Sequence, residues 1–164
     1  MSAWIVNASP LILLGKIDRL DLLQAIASQL IVPAAVALEV RAGPAHDRAR
    51  TWLEAQRSVG PRIEANVTVP PEVVAWDLGA GESAVIGLAL ARPGCVCVLD
   101  DRAARHCAAV FELPVIGTLG VLVKAKRAGL ISELRPMLDQ LTNAGSLLSD
   151  AVVARALALA GEGE

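Results

Sequence analysis

Between Gly79 and His106 the chain carries three carboxylates, Glu82, Asp100 and Asp101, on segments that are otherwise almost wholly apolar. A charge in such surroundings needs a partner or a metal, because an unpaired buried carboxylate is costly. The nitrogen and sulfur ligands that would signal zinc are missing from the pattern: His46 and His106 lie far apart, and Cys95 and Cys97 alternate along a strand with Cys107 as an odd third thiol. An oxygen-only set suits Mg²⁺ or Mn²⁺. Two such ions about 4 Å apart can activate a water and neutralise the leaving oxygen of a phosphodiester. Glu39 is a fourth acid, the only one on the helix predicted from Pro33 to Arg41, on the face that carries Ala35 and Val36. Its spacing fits a metal or a buried partner, and equally a salt bridge to a nearby arginine or an exposed edge position.

Two elements must position these acids. Every residue from Ala84 to Ala91 is apolar or Gly, so the helix that starts near Glu82 has no wet face and is packed on both sides. Cys95 to Leu99 is an unbroken apolar run between Pro93-Gly94 and Asp100-Asp101, the pattern of a strand buried on both faces of a parallel sheet. Asp100 and Asp101 then stand at its carboxyl end, where open α/β sheets bind their ligands.

The rest of the chain alternates in the same way. Ala3 to Val6 is a short strand, and Asn7-Ala8-Ser9-Pro10 starts a helix carrying Leu11, Ile12, Leu14 and Ile17. Asp18 and Asp21 flank the passage to a second apolar segment, Leu20 to Ile26, as caps or surface charges. Gln29 to Val32 is a second strand. His46 to Arg57 reads as a polar amphipathic helix with Trp52 and Leu53 inward. Arg62 to Val69 alternates Ile63, Ala65, Val67 and Val69 against polar residues, as a half-buried edge strand does. Beyond the acids, the spacing predicts a helix from Arg102 to Phe111, a strand at Val115-Ile116, and a helix from Leu119 to Arg127 capped by Gly117-Thr118. Ser132 and Ser149 are expected to cap two last helices, ending at Leu141 and Leu159, with Asp150 serving the dipole of the second.

Composition narrows the class. At 164 residues and 54% hydrophobic, the chain is expected to be one domain, 1–164, with a substantial core. Fifteen basic against seventeen acidic residues leave a net charge of -2, so any grip on nucleic acid must be local. With three Trp, one Phe and no Tyr, composition offers no aromatic platform for stacking bases. The free thiols and the lack of a signal or membrane-spanning pattern point to a soluble cytoplasmic protein.

One alternative uses the same stretch differently. Gly79-Ala80-Gly81-Glu82-Ser83-Ala84 fits the G-x-G-x-x-A dinucleotide fingerprint, with Asp100 near the ribose-binding distance. Against it, Glu82 would occupy the helix turn meant for pyrophosphate, and Val73 to Trp76 is a poor first strand.

The motifs together resemble a PIN domain, in the subgroup related to VapC-type toxins of prokaryotic toxin-antitoxin pairs. The resemblance runs through N-A-S-P-L-I-L-L-G-K-I-D-R-L-D-L-L at the start, the helix acid Glu39, G-A-G-E-S-A-V-I-G-L-A-L, V-L-D-D-R-A-A-R, and G-T-L-G-V-L-V-K-A-K-R-A-G-L-I. It implies a three-layer α/β/α sandwich around a mainly parallel, Rossmann-like sheet. It further implies an Mg²⁺- or Mn²⁺-dependent endoribonuclease, with RNA as substrate, an antitoxin as partner and a homodimer as assembly. The site residues it carries over are Asn7, Glu39, Glu82, Asp100 and Asp101. Glu39, Glu82 and Asp100 are then the main metal ligands, Asp101 an auxiliary one, and Asn7 a weak ligand or water-orienting group. Asn7 departs from the family pattern, which has Asp after the first strand; an amide holds a cation less strongly and takes no proton from water. That departure leaves a second reading, a catalytically weak PIN fold that binds RNA or an antitoxin. Ser9 and Thr118, both helix caps, are placed to bind a water or phosphate, and Arg102, Arg105, Lys124, Lys126 and Arg127 to supply local charge for an RNA backbone.

Overall fold

The computed structural model describes residues 1–55 and 60–163. Five short strands, β1 (Ala3–Val6), β2 (Gln29–Pro33), β3 (Arg62–Glu64), β4 (Val96–Val98) and β5 (Val115–Ile116), form a wholly parallel sheet in the order β3-β2-β1-β4-β5. Parallel neighbours need crossover connections, and helices supply them. These are α1 (Ala8–Lys16), α2 (Asp21–Ile26), α3 (Ala34–Ala42), α4 (Arg48–Ala55), α5 (Pro71–Val74), α6 (Ala80–Ala91) and α7 (Arg102–Val110). After β5 come α8 (Thr118–Arg127), α9 (Arg135–Asn143) and α10 (Asp150–Leu159). The result is the α/β sandwich that the alternation predicts. No helix among the described residues is long and apolar enough to cross a membrane.

The order of the strands locates the business end. The chain runs outward from β1 through β2 to β3, then returns to place β4 on the other side of β1 and β5 beyond it. Beyond their carboxyl ends, β1 and β4 therefore flank a topological switch point, where loops diverge and leave a crevice. Asn7 follows β1 and Asp100 follows β4 by two residues, and the Asn7 amide N–H donates to the Val98 carbonyl at 3.1 Å, continuing the ladder into the site. Beneath them lie Ile5, Ile31, Cys97, Val98 and Leu99, all at 1% exposure or less. Each such side chain contributes roughly 1.5–3 kcal/mol of burial, which makes this strip a rigid base. Helix α6 is buried on all sides over Ala84–Ala89, as its composition requires. Burial pushes the Cys97 thiol up to about 12, with a smaller push from Cys95, so Cys97 is inert filling.

Three expectations need correction. The edge strand covers only Arg62–Glu64 and faces the other way: Ile63 is 41% exposed, while Glu64 turns inward to Arg92 at 2.6 Å. An ion pair with the end of α6 outweighs one isoleucine at a sheet edge. Helix α4 spans Arg48–Ala55, started by Asp47, whose carboxylate accepts from the Ala49 N–H at 2.9 Å; Arg57 lies outside the described residues. Ser149 caps α10 through the Val152 N–H, but Ser132 does not cap α9.

That cap comes from the far end of the chain. The Glu162 carboxylate accepts from the Leu134 N–H at 2.5 Å and the Arg135 N–H at 3.2 Å, and pairs with Lys126 at 3.3 Å. The Leu134 amide, helped by Arg135 and Lys126, holds this carboxyl below the ordinary 4.5. A lowered folded-state value stabilises above the unfolded one and is lost as pH falls through the folded one. Glu162→Gln is therefore expected to melt earlier than the wild type at neutral pH. The gap should close as the pH is taken below 4.5, which paired thermal melts across that range would show.

Candidate functional site

Six of the predicted residues, Asn7, Ser9, Glu39, Glu82, Asp100 and Thr118, meet at the switch point, in two linked groups. The first is built by β1, α3 and α6. Asn7 is 1% exposed, and its Nδ2 donates to Glu82 Oε1 at 3.1 Å. Its Oδ1 is buried with no hydrogen-bond partner, a costly state for an amide oxygen. Although it precedes α1, Asn7 makes no side-chain cap, so its amide is turned wholly toward the acids. Glu39 projects from α3 with its carboxyl end leaning toward α6. A Cβ at Gly81 would lie 2.8 Å from Asn7 Oδ1 and 3.2 Å from Glu39 Oε2, so only glycine leaves room for both oxygens at this point of α6. Burial of the carboxyl, then the neighbouring Glu82 charge, raise the Glu39 pKa above 4.5. Two carboxylates and an orphaned amide oxygen thus line one small cleft with Ser9, Ile12 and Leu13.

The second group is organised by Asp100. Its Oδ1 accepts from the Thr118 backbone N–H at 2.7 Å, and its Oδ2 accepts from the Thr118 hydroxyl at 2.6 Å and the Ser9 hydroxyl at 3.3 Å. Asp100 therefore ties the first turns of α1 and α8 to the end of β4. Thr118 is 3% exposed and the first residue of α8, whose N-cap is Gly117; neither Thr118 nor Ser9 acts as the expected cap. A Cβ at Gly117 would meet Arg105 Nη1 at 2.6 Å and Asp100 Oδ1 at 3.0 Å, so this glycine keeps the end of β4 open. Ser9, which lines the first cleft and bonds to Asp100, joins the two groups.

The remaining predicted residues stand farther out. The Asp101 side chain caps α7, accepting from the Ala104 N–H at 2.9 Å, and lies in a shallow exposed depression with Arg102 and His106. Arg105 donates to the Leu99 carbonyl at 3.1 Å. With Asp100, Lys124 and Arg155 it lines a groove of about 660 Å³ between α8 and α10. Lys126 and Arg127 are engaged elsewhere, Lys126 with Glu162 and the Ser132 carbonyl, and Arg127 with the Leu159 carbonyl at 2.9 Å. Arg155 and the two close-packed glycines were missed in the sequence. Gly81 carried a usable signal, since a glycine beside an acid in a helical first turn suggests close approach.

The geometry discriminates among chemistries. Among the described residues, no three His, Cys, Asp or Glu side chains gather tightly enough to hold a metal ion. The expected cluster of four acids is thus divided: Glu39 faces Glu82, while Asp100 and Asp101 serve hydrogen bonds of their own. The Asn7, Glu39 and Glu82 oxygens nevertheless fit one hard cation. Mg²⁺ asks for one or two carboxylates and completes its shell with water and substrate phosphate, and here an unpaired buried oxygen stands beside two acids that repel each other. The dinucleotide alternative fails on structure. Val73 and Val74 lie in α5 and Trp76 in the turn after it, so no strand feeds the glycine turn, and the Glu82 carboxylate folds back toward Gly79 at the start of α6.

A PIN-domain family model matches residues 3–162. No curated protein and no solved structure matches the chain. With that match over nearly its whole length, and with acids gathered at the carboxyl end of a parallel sheet, the chain belongs to the PIN-domain family, whose members are in general nucleases that use divalent metals.

Proposed function

We propose that the protein is an Mg²⁺- or Mn²⁺-dependent endoribonuclease, acting as the toxin of a toxin-antitoxin pair and assembling as a homodimer. The observation that carries the nuclease reading is the buried, unpartnered Asn7 Oδ1 beside Glu39 and Glu82. Asn7, Glu39 and Glu82 would hold the cation, which when bound lowers the pKa of a water and offsets charge on the leaving oxygen. Glu39, the more exposed of the two acids in the cleft, is the carboxylate that would take a proton from the attacking water. Asp100 holds α1 and α8 so that Ser9 and the mouth of the cleft stay in register. Arg105, Lys124 and Arg155, in the groove that shares Asp100, and Arg102, beside Asp101, would supply positive charge for the phosphate backbone. Support for the toxin role is the motif resemblance; support for a homodimer is exposed apolar surface such as Leu38 at 67%.

A second reading, a binding module with little catalysis, draws on two specific features: the neutral amide at Asn7 and the full hydrogen-bonding of Asp100. Cleavage of a mixed single-stranded RNA set with Mg²⁺ or Mn²⁺ separates the two, using wild type, Asp100→Asn and Asn7→Asp. The nuclease reading expects metal-dependent cutting by the wild type that Asp100→Asn lowers sharply. An inert wild type alongside a cutting Asn7→Asp supports the binding module, and no cutting by either variant or wild type removes the nuclease reading. Asn7→Asp also has a metal signature. It replaces the hydrogen bond to Glu82 with a buried negative charge beside two others, so its melting temperature should fall below wild type in chelator and recover with Mg²⁺. Equal melting in both conditions would argue against a cation site there.

A further inference from the structure

We propose that Trp76 and His106 form a stacking corner for one unpaired nucleobase of the RNA, at the depression that His106 shares with Asp101 and Arg102. The inference rests on the RNA reading above and adds a subsite to it. The two rings meet edge to face, with centroids 5.3 Å apart and planes at 81°. A base lying flat on either ring would meet the other edge-on, the aromatic geometry favoured by ring quadrupoles. Both rings come from segments that adjoin the acid-bearing turns in the chain. Trp76 comes three residues before Gly79, the N-cap of α6, whose first turn carries Glu82; His106 lies just over one turn into α7, whose N-cap is Asp101.

Trp52, Trp76 and Phe111 are all half-buried against the core, and what separates Trp76 from them is its ring partner, His106. Trp4 is 3% exposed and belongs to the core, whereas Trp76 is half-buried and His106 is exposed. Arg102, exposed four residues before His106 on the same face of α7, shares the depression and offers a guanidinium plane and a phosphate partner. Asp101 lines the same depression and disfavours phosphate beside it, so Arg102 is the group there that would hold the backbone. Proteins that read single strands combine these parts: aromatic or imidazole faces for bases, arginine for the backbone. Composition alone hid the platform, because it needs one tryptophan and one histidine from distant segments.

The test is binding of a short labelled single-stranded RNA of mixed sequence by the full chain in chelator, followed by anisotropy and tryptophan emission. The wild type should bind with quenching. Trp76→Leu should lose most of the quenching and bind roughly tenfold more weakly, Trp76→Phe should recover part of the affinity, and His106→Ala should weaken binding with its fold undisturbed. Trp52→Phe should keep the quenching, and duplex RNA, with its bases already stacked, should produce little. Unchanged affinity in both Trp76→Leu and His106→Ala overturns the corner, and if those variants still cleave with metal the nuclease reading survives without it. Quenched binding without any metal-dependent cleavage upholds the corner and removes the nuclease. A wild type that binds no RNA overturns the corner, and cleavage with metal then decides the nuclease reading separately.

Discussion

Glu82→Gln is expected to lower metal-dependent RNA cleavage by on the order of 10³-fold, equivalent to about 4 kcal/mol of lost transition-state stabilisation, while the protein folds normally. The substitution keeps the volume and an oxygen that can accept from Asn7 Nδ2, but it removes the charge that faces Glu39. A purely structural acid behaves differently: losing it destabilises the fold. Here the metal-free protein should melt at the same temperature or slightly higher, because Glu39 no longer sits beside a like charge. Cleavage rates measured beside thermal melts in chelator test both halves of the expectation. Wild-type activity in Glu82→Gln would remove the carboxylate from the mechanism.

The second large effect belongs to stability. Asp100→Ala leaves the Thr118 N–H and hydroxyl without an acceptor in a buried position and frees Ser9. Hydrogen bonds to a charged group contribute roughly 1.5–3 kcal/mol each, and the unpaired donors add to the loss. A destabilisation of about 3 kcal/mol is expected in urea unfolding. Asp100→Asn keeps one acceptor oxygen and should lose less. If Asp100→Asn is as stable as the wild type and still fails to cleave, Asp100 acts on substrate as well as on Thr118. If Asp100→Ala unfolds like the wild type, the clamp between β4, α1 and α8 is energetically idle.

The sheet was legible because its strands are short runs of Val, Ile, Leu and Cys bounded by strong punctuation, such as Pro93-Gly94 before β4 and Pro33 at the end of β2. Parallel pairing followed from strands buried on both faces and separated by helices. Less visible was whatever depends on contacts between distant segments. Glu64 reads as a solvent residue until Arg92 is placed opposite it, and α9 begins without a local cap because Glu162 supplies one. The site shows the same limit. Type and spacing singled out Glu39, Glu82 and Asp100, and the family resemblance added Asn7, but all hydrogen-bond or charge partners are remote in sequence: Asn7 with Glu82, Glu39 with Glu82, and Asp100 with Ser9 and Thr118. Consequently, four acids that look equivalent along the chain divide into a repelling pair, an anchoring clamp and a helix cap. The glycines at 81 and 117 gain meaning only from oxygens brought against them.

The central claim is that Asn7, Glu39 and Glu82 together hold one divalent cation, and calorimetric titration of the RNA-free protein with Mn²⁺ measures it. The account predicts one saturable ion per chain, binding lost in Glu82→Gln and retained in His106→Ala. Binding that survives Glu82→Gln unchanged, or no binding by the wild type up to millimolar Mn²⁺, would contradict it.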